Sequence, residues 1–161
     1  MLAHELAHAT TAHLPIPRWL SEGLAMFIER SVVGDPSISV GHELINDLRA
    51  FWTEKNIQTF WSGESFIVPG ISNELSYEFA EILFRYLLKS GKDLIGFLQA
   101  ADDRDAGQTA AINLLDMDLN DAVVEFLGPG EWRPNGMAIV EAWKMAGWQQ
   151  GESGRPPERT P

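Results

Sequence analysis

The sequence predicts a mainly helical fold, and three observations carry that prediction. Apolar residues recur at three- and four-residue spacing along most of the chain, the signature of helices with one buried face. Proline and glycine stand in short groups at helix-length intervals. No series of alternating apolar and polar runs marks out a sheet. At 161 residues, 45% of them hydrophobic, the chain suffices for one domain with a core of its own.

Residues 1–13 form the first predicted helix, with Leu2, Leu6 and Ala9 on the face opposite His4 and His8, ended by Pro15 and Pro17. Pro17 then suits the first turn of a second helix over 17–31, whose apolar stripe is Leu20, Leu24, Phe27 and Ile28. Gly34-Asp35-Pro36 reads as a loop and 41–55 as a third helix. The stretch 57–73, interrupted by Gly63, Pro69 and Gly70, is expected to be irregular or extended. A long helix follows at 74–89, with Leu75, Phe79, Ile82 and Tyr86 on its core stripe and Ser90-Gly91 at its end. Shorter helices are predicted at 91–101, 105–115, 118–127 and 135–146, the last two separated by Gly128-Pro129-Gly130. One helical domain therefore covers 1–146. The polar, Pro/Gly-rich stretch 147–161 is expected to be a disordered tail.

Composition narrows the chemistry. There is no cysteine, so neither a disulfide framework nor a thiolate metal site is available, and any metal must be held by histidine and carboxylate. Twelve Lys+Arg against 23 Asp+Glu give a net charge of −11, which argues against nucleic acid and anionic membrane as partners. No apolar run has the length of a membrane span, and no signal peptide is read, which leaves the compartment open with the cytoplasm as default.

The first ten residues, MLAHELAHAT, hold the pattern H-E-x-x-H. On a helix, His4 and His8 share one face a turn apart, and Glu5 points about a quarter turn away. In this pattern two imidazoles bind Zn²⁺ and the glutamate works on the metal-bound water. A catalytic zinc needs a third protein ligand and keeps one position for water. Glu22, in PRWLSEGLAMF, is available fourteen residues after His8. Gly23 beside it costs about 1 kcal/mol of helix propensity, and its bare backbone is expected to let the first two helices approach closely enough for Glu22 to reach the metal.

HELAH followed by PRWLSEGLA resembles the gluzincin branch of zinc metallopeptidases, the thermolysin-like peptidases, and is most similar to the peptidase-MA-like group with its W-L-x-E-G-L-A block. The resemblance implies a zinc-dependent hydrolase of peptide bonds, with His4, His8 and Glu22 as Zn²⁺ ligands, Glu5 as general base and a peptide or protein as substrate. It extends more weakly through SYEFAEILFRYLLKSGKDLIGFL at 76–98, where Tyr77 matches a tyrosine that assists catalysis in relatives. Many gluzincins place an acidic residue four after the glutamate ligand as partner to a histidine; here that residue is Met26. Family members also carry a sheet before the first motif, whose edge strand receives the peptide. The expectation is therefore the helical, C-terminal-type portion of such a catalytic domain, N-terminally truncated, with the sheet region absent from this chain. The alternative is a catalytically incompetent helical remnant that serves as a metal-binding or protein-interaction module.

Plainer readings stand beside these. Arg18, Glu22 and Glu29 share a stripe opposite Leu20 and Leu24, so Glu22 reads equally as an exposed partner of Arg18 at i, i+4 or as a carboxylate lining a cleft. Tyr77 lies off the Leu75–Phe79–Ile82 stripe, as a partly exposed tyrosine would. His13 reads as a packed or loop histidine. His42-Glu43 is not a motif, because Asn46 stands where a second histidine is required. Trp19, Trp52 and Trp61 read as core or cleft wall.

Overall fold

The computed structural model describes residues 2–34 and 40–150, and among these it is helical without a strand. The helices are α1 (Leu2–Thr11), α2 (Arg18–Val33), α3 (His42–Phe51), α4 (Ile57–Ser62), α5 (Ile71–Leu88), α6 (Leu94–Ala100), α7 (Gln108–Leu115), α8 (Leu119–Leu127) and α9 (Gly136–Ala146). Single 3₁₀ turns lie at Glu64–Phe66 and Asp103–Asp105. None of these helices is long and apolar enough to cross a membrane.

The centre of the molecule is the crossing of α2 and α5. Leu20 from α2, and Phe79 and Leu83 from α5, are fully buried there. An aromatic cluster extends this core: Phe60 sits with its ring centroid 5.1 Å from both Trp61 and Phe79, and 5.7 Å from Trp52. The three tryptophans expected in the core are in it. Two of the indoles find carbonyl partners, Trp19 donating to Ala106 and Trp61 to Trp132, while the Trp52 nitrogen is buried without one.

Gly23 marks the closest approach, but not between the helices expected. A methyl group at Gly23 would lie 2.5 Å from the Ala80 carbonyl oxygen and 3.0 Å from the Phe84 Cβ, both on α5. The bare backbone thus seats α2 on α5, and Glu22 is aimed by that contact rather than by a tightened α1–α2 crossing.

Three further expectations are corrected. Residues 57–73 are irregular only between Gly63 and Gly70: Ile57, Phe60 and Trp61, at helical spacing, are buried on α4, Gly63 in the left-handed region ends it at φ 91°, and Ile71 already opens α5. The third helix ends at Phe51, because Trp52 turns extended to enter the core. Thr53 and Asn56 then bond each other's backbone amides and start the next turn. The third correction concerns α1. Leu2 and Leu6 are 80% and 61% exposed, whereas Ala7 and His8 are buried. The helix docks on α2 by its histidine face, and its leucine face looks outward.

The predicted loop keeps Gly34 as the left-handed cap of α2, and its remainder lies outside the described residues. At the C-terminal end, Trp143 donates to the Ser62 carbonyl, and Trp148 packs partly buried against the core. The expected tail overlaps the described residues only at 147–150; residues 151–161 lie outside them.

Candidate metal centre

Local sequence sets up the site on two consecutive helices. Residues four apart on α1 put His4 and His8 side by side, with ring centroids 4.8 Å apart. Pro17, extended at φ −66° and ψ 153°, turns the chain into α2 and lets its first turn run back beneath them. The opening of α2 is buried without a break from Arg18 to Gly23. Of the two readings of Glu22, the exposed one is therefore set aside: the side chain is 1% exposed.

The imidazole Nε2 atoms of His4 and His8 are 3.1 Å apart. Glu22 Oε2 lies 3.3 Å from the first and 3.2 Å from the second. These three atoms form a nearly equilateral triangle. Ligand atoms about 2.0–2.1 Å from a tetrahedral zinc are themselves about 3.3 Å apart, so the triangle has the size of one face of such a site. Among the described residues, this is the group of histidine and carboxylate side chains placed to hold a metal ion. With two imidazoles and one carboxylate, the donor set suits zinc better than the harder cations.

The far nitrogens of both rings are also engaged. His8 Nδ1 is 2.9 Å from Ser21 Oγ, and His4 Nδ1 is 3.2 Å from Glu29 Oε2. Each Nδ1 is placed to donate to Ser21 or to Glu29; without a metal a proton on Nε2 donates to Glu22, and a bound metal would take the place of that proton. That is the arrangement in which outer partners orient metal-binding histidines. Sequence reasoning missed both partners. Glu29 is seven residues beyond Glu22, close to two full turns along the same face, and takes the role expected of an acid at position 26. The signal was present, since Glu29 shares the Arg18–Glu22 stripe.

Charge follows from this packing. Burial raises the Glu22 carboxyl, but hydrogen bonds from His4 and His8, with the charges of His8 and Arg18, outweigh it and hold the group at about 2. The bond to Glu22 raises His4 above its ordinary 6.5, against the opposing effect of burial. Glu22 is thus a carboxylate at neutral pH, ready to act as a ligand.

Tyr77, in the first half of α5, is half-buried with its ring edge-on to Phe66 at 5.4 Å. Burial and the nearby Glu22 charge push its hydroxyl up to about 12, partly offset by Arg18, so it remains a protonated donor. Glu5 lies on the exposed side of α1. The structure therefore brings His4, His8 and Glu22 together, sets Tyr77 within electrostatic reach of Glu22, and keeps Glu5 outside the buried triangle. His13 is exposed beyond the end of α1.

Comparison of the chain with models of protein families, with curated proteins and with solved structures gives no match. The family resemblance therefore rests on the HELAH and WLSEGLA segments and on the geometry they build.

Proposed function

We propose that this chain carries the zinc centre of a metallopeptidase, with His4, His8 and Glu22 as the ligands and a peptide or protein as substrate. One observation supports it above the rest: three ligand atoms from two helices meet at 3.1–3.3 Å, with the outer nitrogen of each histidine already anchored. A zinc ion bound there supplies Lewis-acid polarisation of a carbonyl and brings the pKa of water towards 7. Glu5, next to His4 on the exposed side of α1, is the group that takes a proton and returns it to the leaving amine. The Tyr77 hydroxyl donates to the oxyanion that develops on the substrate carbonyl. Ser21 and Glu29 keep the imidazoles in one orientation and one tautomer through the cycle.

The test is hydrolysis of a fluorogenic peptide library by the zinc-loaded chain beside Glu5→Gln. Turnover that collapses in Glu5→Gln while zinc stays bound is the expected result. Stoichiometric zinc with no turnover in either protein contradicts the peptidase reading and leaves the metal-binding or interaction module.

A further inference from the structure

One charged side chain beside the triangle has no part in the proposed chemistry so far. Arg18 is 3% exposed, and its Nη1 lies 3.9 Å from Glu22 Oε1, an ion-pair distance longer than a hydrogen bond. Nη1 and Nε of Arg18, and Oε1 of Glu22, are buried and make no hydrogen bond. The guanidinium carbon sits over the Trp148 ring, 6.0 Å from its centroid. A buried, incompletely paired guanidinium is costly, and one in the first turn of a helix also opposes the helix dipole. Helix stability therefore does not explain why an arginine stands at the start of α2. The two oxygens of Glu22 do explain it. Oε2 faces both histidines, while Oε1 lies towards the Arg18 guanidinium.

We infer that Arg18, roofed by Trp148, is a positioning residue that holds Oε1 of Glu22 away from the metal so that the carboxylate binds through Oε2 alone. The inference rests on the metal centre proposed above. A guanidinium charge behind Oε1 resists rotation of the carboxylate towards two-oxygen binding. One-oxygen binding keeps the protein ligand number at three and the fourth position free. The Trp148 ring shields the pair from water, which strengthens the attraction over what an exposed pair would have. The turn after α9, distant in sequence from every ligand, thereby becomes part of the support of the site.

The test compares the unaltered chain with Arg18→Gln, Arg18→Lys and Trp148→Leu. Two quantities are read: zinc affinity by competition with a chromophoric chelator, and the visible spectrum after loading with Co²⁺. Arg18→Gln is expected to weaken zinc binding about ten- to a hundredfold, the range for loss of an outer partner. Its Co²⁺ bands should also lose the intensity of a four-coordinate site as Oε1 joins the ion. Arg18→Lys, which keeps the charge, should recover much of both. A merely structural role for Arg18 would leave the spectrum unmoved. Arg18→Gln with the affinity and spectrum of the unaltered chain overturns the inference and leaves the metal centre standing. No metal uptake by the unaltered chain overturns both. If Arg18→Gln does not fold, Trp148→Leu decides: a severalfold weakening with dimmed bands supports the inference, and no change in either overturns it.

Discussion

Glu22 shows how much one side chain carries. Its carboxyl, held near 2 against an ordinary 4.5, is a source of stability in the metal-free chain that is present above about pH 4.5 and lost as the pH falls towards 2. His4 has the opposite sign. Its raised value means a contribution complete below 6.5 and lost as the pH rises through the folded value. Both act together between about pH 4.5 and 6.5, and there the metal-free chain should exceed Glu22→Gln in stability by the widest margin, about 3 kcal/mol at most. Thermal melts of the metal-stripped proteins across that range check this, and a margin that grows steadily above pH 7 would contradict it. Zinc affinity should run the other way at the upper end, rising with pH as His4 loses its proton. Tyr77 makes a separate demand. As a protonated donor to the developing oxyanion, it should cost about a hundredfold in kcat when changed to phenylalanine, with zinc affinity unaltered. Equal kcat for Tyr77→Phe and the unaltered chain would remove it from the mechanism.

At the scale of elements, α1 and α2 depend on different forces. The α2–α5 crossing is closed by aromatic and aliphatic burial and by the absence of a side chain at Gly23. Gly23→Ala gains up to about 1 kcal/mol in helix propensity, but it drives a methyl group against the Ala80 carbonyl, and overpacking of this kind costs about 1–3 kcal/mol. A net loss in denaturant melts is expected, and a net gain would mean that the crossing relaxes freely. Helix α1 has no such core face. Its buried residues are Ala7 and His8, and its contact with α2 runs through His4, His8, Ser21, Glu22 and Glu29. Zinc that bridges the two helices should therefore slow amide hydrogen exchange across α1 strongly and across α5 little; equal protection of both would contradict a metal bridging α1 to α2.

The same contrast explains what the sequence disclosed. Helix α5 is legible because Leu75, Phe79, Ile82 and Tyr86 recur at one helical period and pack in or against the core. His4 and His8, two of the three candidate ligands, are legible because H-E-x-x-H sets them side by side by local geometry, whereas Glu22 needs the packing of α1 on α2. Helix α4 is hidden by the glycines and proline around it, although Ile57, Phe60 and Trp61 keep helical spacing within it. The orientation of α1 is misread because an apolar stripe ordinarily faces inward, and here the histidine face takes the inward place. The Arg18–Glu22–Glu29 stripe is visible in the spacing, but that Ser21 and Glu29 meet the two histidines follows only when α1 is laid across α2.

At the scale of the molecule, the candidate centre lies beside a hydrophobic core built from other residues. The aromatic cluster of Trp19, Trp52, Phe60, Trp61 and Phe79 is buried beside the α2–α5 crossing, and Trp143 ties α9 to the last residue of α4. Single substitutions at the candidate ligands should accordingly lower stability while leaving the core folded, which the persistence of the helical signal checks. The most direct measurement is the zinc content of the purified, dialysed chain beside His8→Ala and Glu22→Gln. The account predicts close to one zinc per chain, lost in both variants while their helical signal persists. A chain that retains no zinc, or zinc that is indifferent to Glu22, would contradict it.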